Sequence, residues 1–331
     1  MPSADSIKDR FRPIVHGARD RKNAALYGAC AVLLYHRVVE LETDPQQLAV
    51  DPANFDTHLS LLMEKYRVLT VEEFDHHLLS RRRFPKNAVL LTFDDGYADN
   101  HLHARPILEK HGIQALFYIA SGYMGANREY WWDEVERLLL VNQGAPTEWQ
   151  FERNGFELNW RSSEERPSRA YSGALEDLRA LPSHDRDAVL SELRLLLKSE
   201  TPRPTHLPMT REELRAFAGS PSVVIGAHTV GHPSLARLHT EEQRKEIEGS
   251  KRDLQDMLGI EIPYFSYPFG TGADFNDTTV ALAEAAEFKH VAANYPGFVH
   301  ARSPKFQFPR FLVRNWDGPT FAEQLKGFFN G

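Results

Sequence analysis

Two short stretches hold the residues best suited to chemistry. In "VLLTFDDGYAD", residues 89–99, an apolar run ends in two adjacent carboxylates, Asp94 and Asp95. Such a pair repels itself and costs desolvation unless a cation or a solvated turn relieves it. Asp-Asp-Gly is also good turn sequence, which is the purely structural alternative. In "VVIGAHTVGHPSLARL", residues 223–238, a second apolar run ends in His228 and His232. Two histidines four apart can meet on one face of a helical turn and chelate one ion; solvent-facing or capping histidines are the alternative. Gly226 and Gly231 beside them suggest a tight backbone path. Together the clusters offer two imidazoles and a carboxylate, a three-ligand set that leaves positions for water and substrate. The remaining carboxylate is then free to act as a base, and the ion offsets the repulsion of the doublet.

The elements around these stretches read as strands alternating with helices. Strands are expected at 31–35, 67–70, 88–93, 115–119, 222–226, 263–267, 289–293 and 310–314. Helices are expected at 54–65, 71–80, 98–110, 240–258, 276–286 and 319–329, with capping boxes at Thr240/Gln243 and Thr210/Glu213. This alternation argues for a mostly parallel α/β sheet or barrel, whose strand ends are where sites assemble. Residues 1–24 read as a charged extension before a domain at 25–331, interrupted by an insertion at about 125–209. The insertion contains a hairpin signal at Asn154-Gly155 and a Pro-rich tether, "TPRPTHLP".

Bulk properties narrow the class. The 331 residues are 42% hydrophobic and 26% charged, an ordinary globular composition. A net charge of −7 gives no basic footprint for nucleic acid. The single cysteine, Cys30, sits in an apolar run and rules out a disulfide within one chain and a thiolate metal site, so any metal falls to carboxylates and the 15 histidines. The first residues lack an apolar signal core, and no run of about 18 apolar residues occurs. A cytoplasmic location is expected.

The motifs "TFDDGY", "HTVGHPSL" and "SYPFG", in that order and each at a strand end, resemble the polysaccharide deacetylases, the NodB-homology carbohydrate esterases. The resemblance covers most of 30–125 and 210–315. It implies a distorted (β/α) barrel, here with an inserted α+β segment, and metal-dependent removal of acetyl groups from sugars. By matching position it assigns Asp95, His228 and His232 to the metal, with zinc the expected divalent ion, and Asp94 to the general base. Adjacent residues on an extended segment point opposite ways, so each Asp can serve a different partner. The resemblance also implies an oxyanion donor at the Phe269 N–H, in the segment Tyr267-Pro268-Phe269.

Two departures from the family pattern follow. Many members place an arginine two residues before this proline; here Ser266 stands there, and Arg310 in "FPRFLVRNW" is a candidate substitute. No late acid histidine is present, whereas "VLLYHRV" resembles the branch with permuted motif order, including the poly-N-acetylglucosamine deacetylases. That assigns the acid to His36, a role suited to a group with pKa near operating pH. Tyr97 and Asp99 either support Asp94 or begin the next helix; His101 and His103 are expected to face solvent. Trp131 and Trp132 are either a sugar-stacking platform or the insertion's own core. The expected substrate is an N-acetylated glycan or sugar; a small non-sugar amide and an inactive carbohydrate-binding protein are the alternatives.

Overall fold

The computed structural model describes residues 27–142, 148–153, 156–161 and 167–330. The extension expected at 1–24 and the Asn154-Gly155 turn lie outside the described residues. All eight expected strands form, and all lie in one parallel sheet: β1 (Cys30–Tyr35), β4 (Arg67–Val68), β5 (Ala88–Phe93), β6 (Ala115–Ile119), β9 (Val223–Ala227), β10 (Tyr264–Ser266), β11 (His290–Ala292) and β12 (Phe311–Leu312). The order is β11-β10-β9-β6-β5-β1-β12, with β4 also on β5. The remaining strands form two pairs: β2 (Arg37–Val38) with β3 (Ala49–Val50), and β7 (Glu148–Arg153) antiparallel to β8 (Phe156–Arg161).

The segment around 308–312 closes the sheet. Phe308 bridges to Ala292 on one edge, and Phe311 and Leu312 pair with Leu33 and Leu34 on the other. The result is the distorted α/β barrel expected from the motifs. Every residue of β1, β5 and β6 is buried, because a parallel sheet inside a helical ring has no wet face. Alternate residues part company by the two-residue period of a strand. Val32, Leu90, Leu116 and Tyr118 join one apolar cluster with Phe74 and Phe308, while Leu33, Tyr35, Leu91, Phe93 and Phe117 join the other.

Beyond shifts of a residue or two at helix ends, one helix start and one cap differ from expectation. The segment after Asp99 opens as a wide π-type turn, Asn100–Ala104, before the regular helix Arg105–His111. Pro106 lacks the N–H that a regular turn would use there. Thr210 and Glu213 do form a reciprocal cap. The cap expected at Thr240/Gln243 belongs instead to His239, whose N–H donates to Glu242, while Gln243 is buried and donates to the Leu238 carbonyl. Within the described residues no helix is long and apolar enough to cross a membrane.

Candidate active site

Asp94 follows β5 directly and continues its ladder, its N–H donating to the Tyr35 carbonyl at 3.1 Å. It shares the facing of Leu90 and Thr92 and so points inward. There it meets Arg310, buried at the closure segment, whose Nη1 and Nη2 donate to Oδ1 and Oδ2 at 2.7 Å each. Arg310 also donates to the Ser266 hydroxyl at 2.7 Å and the Ala293 carbonyl at 2.8 Å. The guanidinium thus reaches across to the position where the arginine of the family pattern is missing. Burial pushes the Asp94 carboxyl up, but Arg310 and then His228 outweigh it, leaving Asp94 below its ordinary value.

Asp95 is not extended, as the sequence reading assumed. Its φ is +78°, the left-handed region that a residue with a side chain seldom enters. This turn, rather than strand alternation, separates the two carboxylates. Its carbonyl accepts from Ala120 N–H at 3.0 Å and the Tyr130 hydroxyl at 2.8 Å. Its Oδ1 lies 3.4 Å from His232 Nε2 and 3.7 Å from His228 Nε2. That oxygen is buried with no hydrogen-bond partner among the described residues. Burial first, then Asp94 and Asp133, push the Asp95 carboxyl well up.

The two histidines do not share a helical turn. Residues 228–232 form an irregular loop after β9, with Thr229 at φ +64° and His232 at φ +55°. Thr229 Oγ1 accepts the His232 N–H at 3.0 Å, and Glu246 accepts the Val230 and Gly231 N–H groups at 2.8 Å. The tight path expected from the glycines is present: a Cβ on Gly231 would lie 2.2 Å from Ser183 Oγ, and one on Gly226 would lie 2.7 Å from the Tyr118 ring. His228 Nδ1 lies 2.7 Å from the Ser266 carbonyl, which can only accept, so the proton sits on Nδ1 and Nε2 presents a lone pair. Burial holds both imidazoles below their ordinary value. Two neutral imidazoles converging on an orphaned carboxylate oxygen, with all three ligand atoms within 4.8 Å, fit a divalent cation.

Phe269 follows Pro268 with φ +59°, and no acceptor for its N–H is found among the described residues. Its ring lies 4.8 Å from that of His232, and the Arg179 guanidinium stacks 4.0 Å above it. Tyr267 is a correction: its side chain stacks on Phe275 and donates to the Phe306 carbonyl, so it belongs to the core. His36 follows β1, held below its ordinary value at about 4 by burial, with Asp94 acting in the opposite sense. Its Nδ1 is buried without a hydrogen-bond partner among the described residues.

Trp131 and Trp132 are not a platform. Both are buried; the Trp132 ring packs 4.4 Å from His232, and its Nε1 donates to the Tyr97 hydroxyl at 2.8 Å. Tyr97 in turn donates to Asp133 at 2.7 Å, and Asp99 pairs with Arg37 at 3.0 Å; neither touches Asp94. His103 bonds the Val38 carbonyl at 2.9 Å and His101 packs on Phe217, so both are only partly exposed. Cys30 is buried and free. Asp133, Tyr130 and Thr229 shape the site yet carry no local signal, apart from Thr229 lying inside the His-x-x-x-His stretch.

A polysaccharide deacetylase family model matches residues 81–144 and 199–291. The Bacillus subtilis protein YxkH, a polysaccharide deacetylase by name, is 26% identical over 267 residues, covering 80% of this chain and 64% of that protein. The poly-β-1,6-N-acetyl-D-glucosamine N-deacetylase of Staphylococcus aureus (strain MSSA476) is 27% identical over 112 residues, 34% of this chain and 38% of the relative. These alignments span less than two thirds of either relative. Among solved structures, the Streptococcus pyogenes deacetylase PplD in complex with acetate aligns with a TM-score of 0.57 at 19% identity, covering 90% of this chain and 97% of that one. IcaB from Ammonifex degensii aligns at 0.58 and 19%, covering 91% and 97%. Those two likenesses concern the fold. The family model is matched on both sides of 145–198, and the motif residues it spans are gathered at one end of a parallel barrel: this chain carries a region matching the polysaccharide deacetylase domain.

Proposed function

We propose that the chain is a metal-dependent hydrolase that removes the acetyl group from an N-acetylated sugar or polysaccharide. The observation that carries this reading is the orphaned Asp95 Oδ1 facing two imidazole nitrogens, beside an Asp94 already ion-paired to Arg310. A divalent ion held by Asp95, His228 and His232, most simply zinc, supplies Lewis acidity and a more acidic water. Asp94 is the general base toward that water, and Arg310 fixes its orientation in two dimensions. The unpartnered Phe269 N–H is the donor for the charge that develops on the acetyl oxygen. His36, on the Asp94 side of the site, delivers the proton to the departing amine; burial leaves its imidazole neutral, so it must first receive that proton, which originates in the attacking water and is taken up by Asp94. The relatives' names support a glycan substrate; the buried tryptophans give no information on its size.

The test is acetate release from N-acetylglucosamine oligomers of graded length, set against a panel of small amides, with metal-loaded and chelator-treated protein. Asp94→Asn is expected to keep its metal and lose about 10²–10⁴-fold in kcat. Full turnover in that variant removes Asp94 from the base role. Loaded protein that cleaves the small amides and spares every sugar overturns the substrate assignment.

A further inference from the structure

A second group of potential ligands lies behind the first, where the insertion meets the barrel. Asp133 and Glu136 stand three apart on the short helix Trp131–Glu136, so both face one side. His206 comes from the Pro-rich tether, and ligand atoms of all three residues lie within 4.8 Å of one another. All three are buried and line a small cavity together with Arg37, which is ion-paired to Asp99, and the loop carrying Thr43, Asp44 and Gln46. His206 Nδ1 is taken by the Thr205 hydroxyl at 2.9 Å. Its Nε2 points toward Glu136 Oε2 from 4.0 Å, too far for a hydrogen bond, and has no other partner among the described residues.

Charge pairing singles out the same spot. The neighbouring carboxylates Asp99, Glu129, Glu134 and Glu136 each have an arginine partner. Asp133 makes no direct ion pair among the described residues: its carboxylate accepts the Tyr97 hydroxyl, while Arg37 and Arg203 act on it only from a distance. A buried carboxylate without a direct ion pair is costly. An imidazole lone pair, an unpaired carboxylate and a second carboxylate converging on one cavity make a donor set of one nitrogen and two oxygens. That set suits a borderline divalent transition-metal ion better than calcium or magnesium, which take oxygen ligands.

We propose that Asp133, Glu136 and His206 bind a second divalent transition-metal ion, separate from the Asp95/His228/His232 centre, that clamps the insertion helix and its tether to the barrel. The clamp stands behind the first centre's wall. Asp133 holds Tyr97, Tyr97 holds the Trp132 indole, and Trp132 packs on His232.

The test is metal stoichiometry on the full chain, stripped with chelator and titrated with Zn²⁺, then with Co²⁺. Wild type is expected to bind two ions per chain. Asp95→Asn should bind one, His206→Gln one, and the double variant none. A wild type that binds one ion, with His206→Gln unchanged, overturns the proposal. So do two ions that persist in His206→Gln, since the second then sits elsewhere. If His206→Gln does not fold, Asp133→Asn keeps an acceptor for Tyr97 and serves in its place. In the Asp95→Asn background, Zn²⁺ should raise the thermal midpoint by several degrees, and adding Asp133→Asn should abolish that rise; a rise that survives overturns the proposal. Failure of the first centre would appear instead as an Asp95→Asn stoichiometry equal to wild type.

Discussion

The two ends of one sheet each hold a buried aspartate facing histidine, and they are built to opposite specifications. At the amino end, Asp75 has both oxygens engaged: Oδ2 accepts from the Tyr264 hydroxyl at 2.8 Å and Oδ1 meets His290 Nε2 at 2.9 Å. At the carboxyl end, Asp95 stands 3.4 Å and 3.7 Å from its histidines with Oδ1 unbonded. Asp75, Tyr264 and His290 have ordinary backbone angles, whereas Asp95, Thr229, His232 and Phe269 are all left-handed. Each such residue costs on the order of 1–3 kcal/mol. The same ingredients therefore make a brace where their valences are filled and a binding site where they are not.

Substitutions separate the two. Asp95→Asn should have the largest effect, a loss of acetate release of about 10³-fold or more, with the bound ion lost in elemental analysis. In metal-free protein the same change should raise stability by about 1 kcal/mol, because it removes an unpaired buried carboxylate. A metal-free variant less stable than wild type would show that Asp95 has a hidden partner. Arg310→Ala should cost about 3–5 kcal/mol in urea unfolding, since it strands Asp94 as a buried charge. Asp75→Asn should cost about 1–3 kcal/mol and leave turnover per folded molecule near wild type. A large loss of turnover there would mean that the amino end is coupled to the chemistry.

The legible part of this molecule was whatever is local. The central strands β1, β5 and β6 announce themselves as apolar runs that a parallel sheet buries on both faces. Asp94, Asp95, His228 and His232 are gathered because each ends such a run. Arg310 could be nominated because a missing charge had to come from somewhere, although its Cα lies 216 residues from that of Asp94 in sequence. Partners set by tertiary contact were not legible. Tyr97 and Asp99 sit in the doublet's own motif, yet they bond Asp133 and Arg37. A Trp-Trp pair reads equally as platform and core, and only its burial decides. The His-x-x-x-His spacing suggested a helical turn, but Thr229 and His232 turn left-handed and make a loop instead.

The Asp94–Arg310 pair also constrains how the molecule is made. Contacts so distant in sequence form slowly, because the loop they close must be ordered before they repay it. Until β12 docks, Asp94 has no counter-charge and is best left in water, so the inner face of β5 cannot seal early. The closure segment should therefore arrive late, after the β1-β5-β6 centre has formed. Arg310→Ala should speed unfolding much more than it slows refolding in stopped-flow measurements. A refolding rate that falls in proportion to the lost stability would place this ion pair in the nucleus instead.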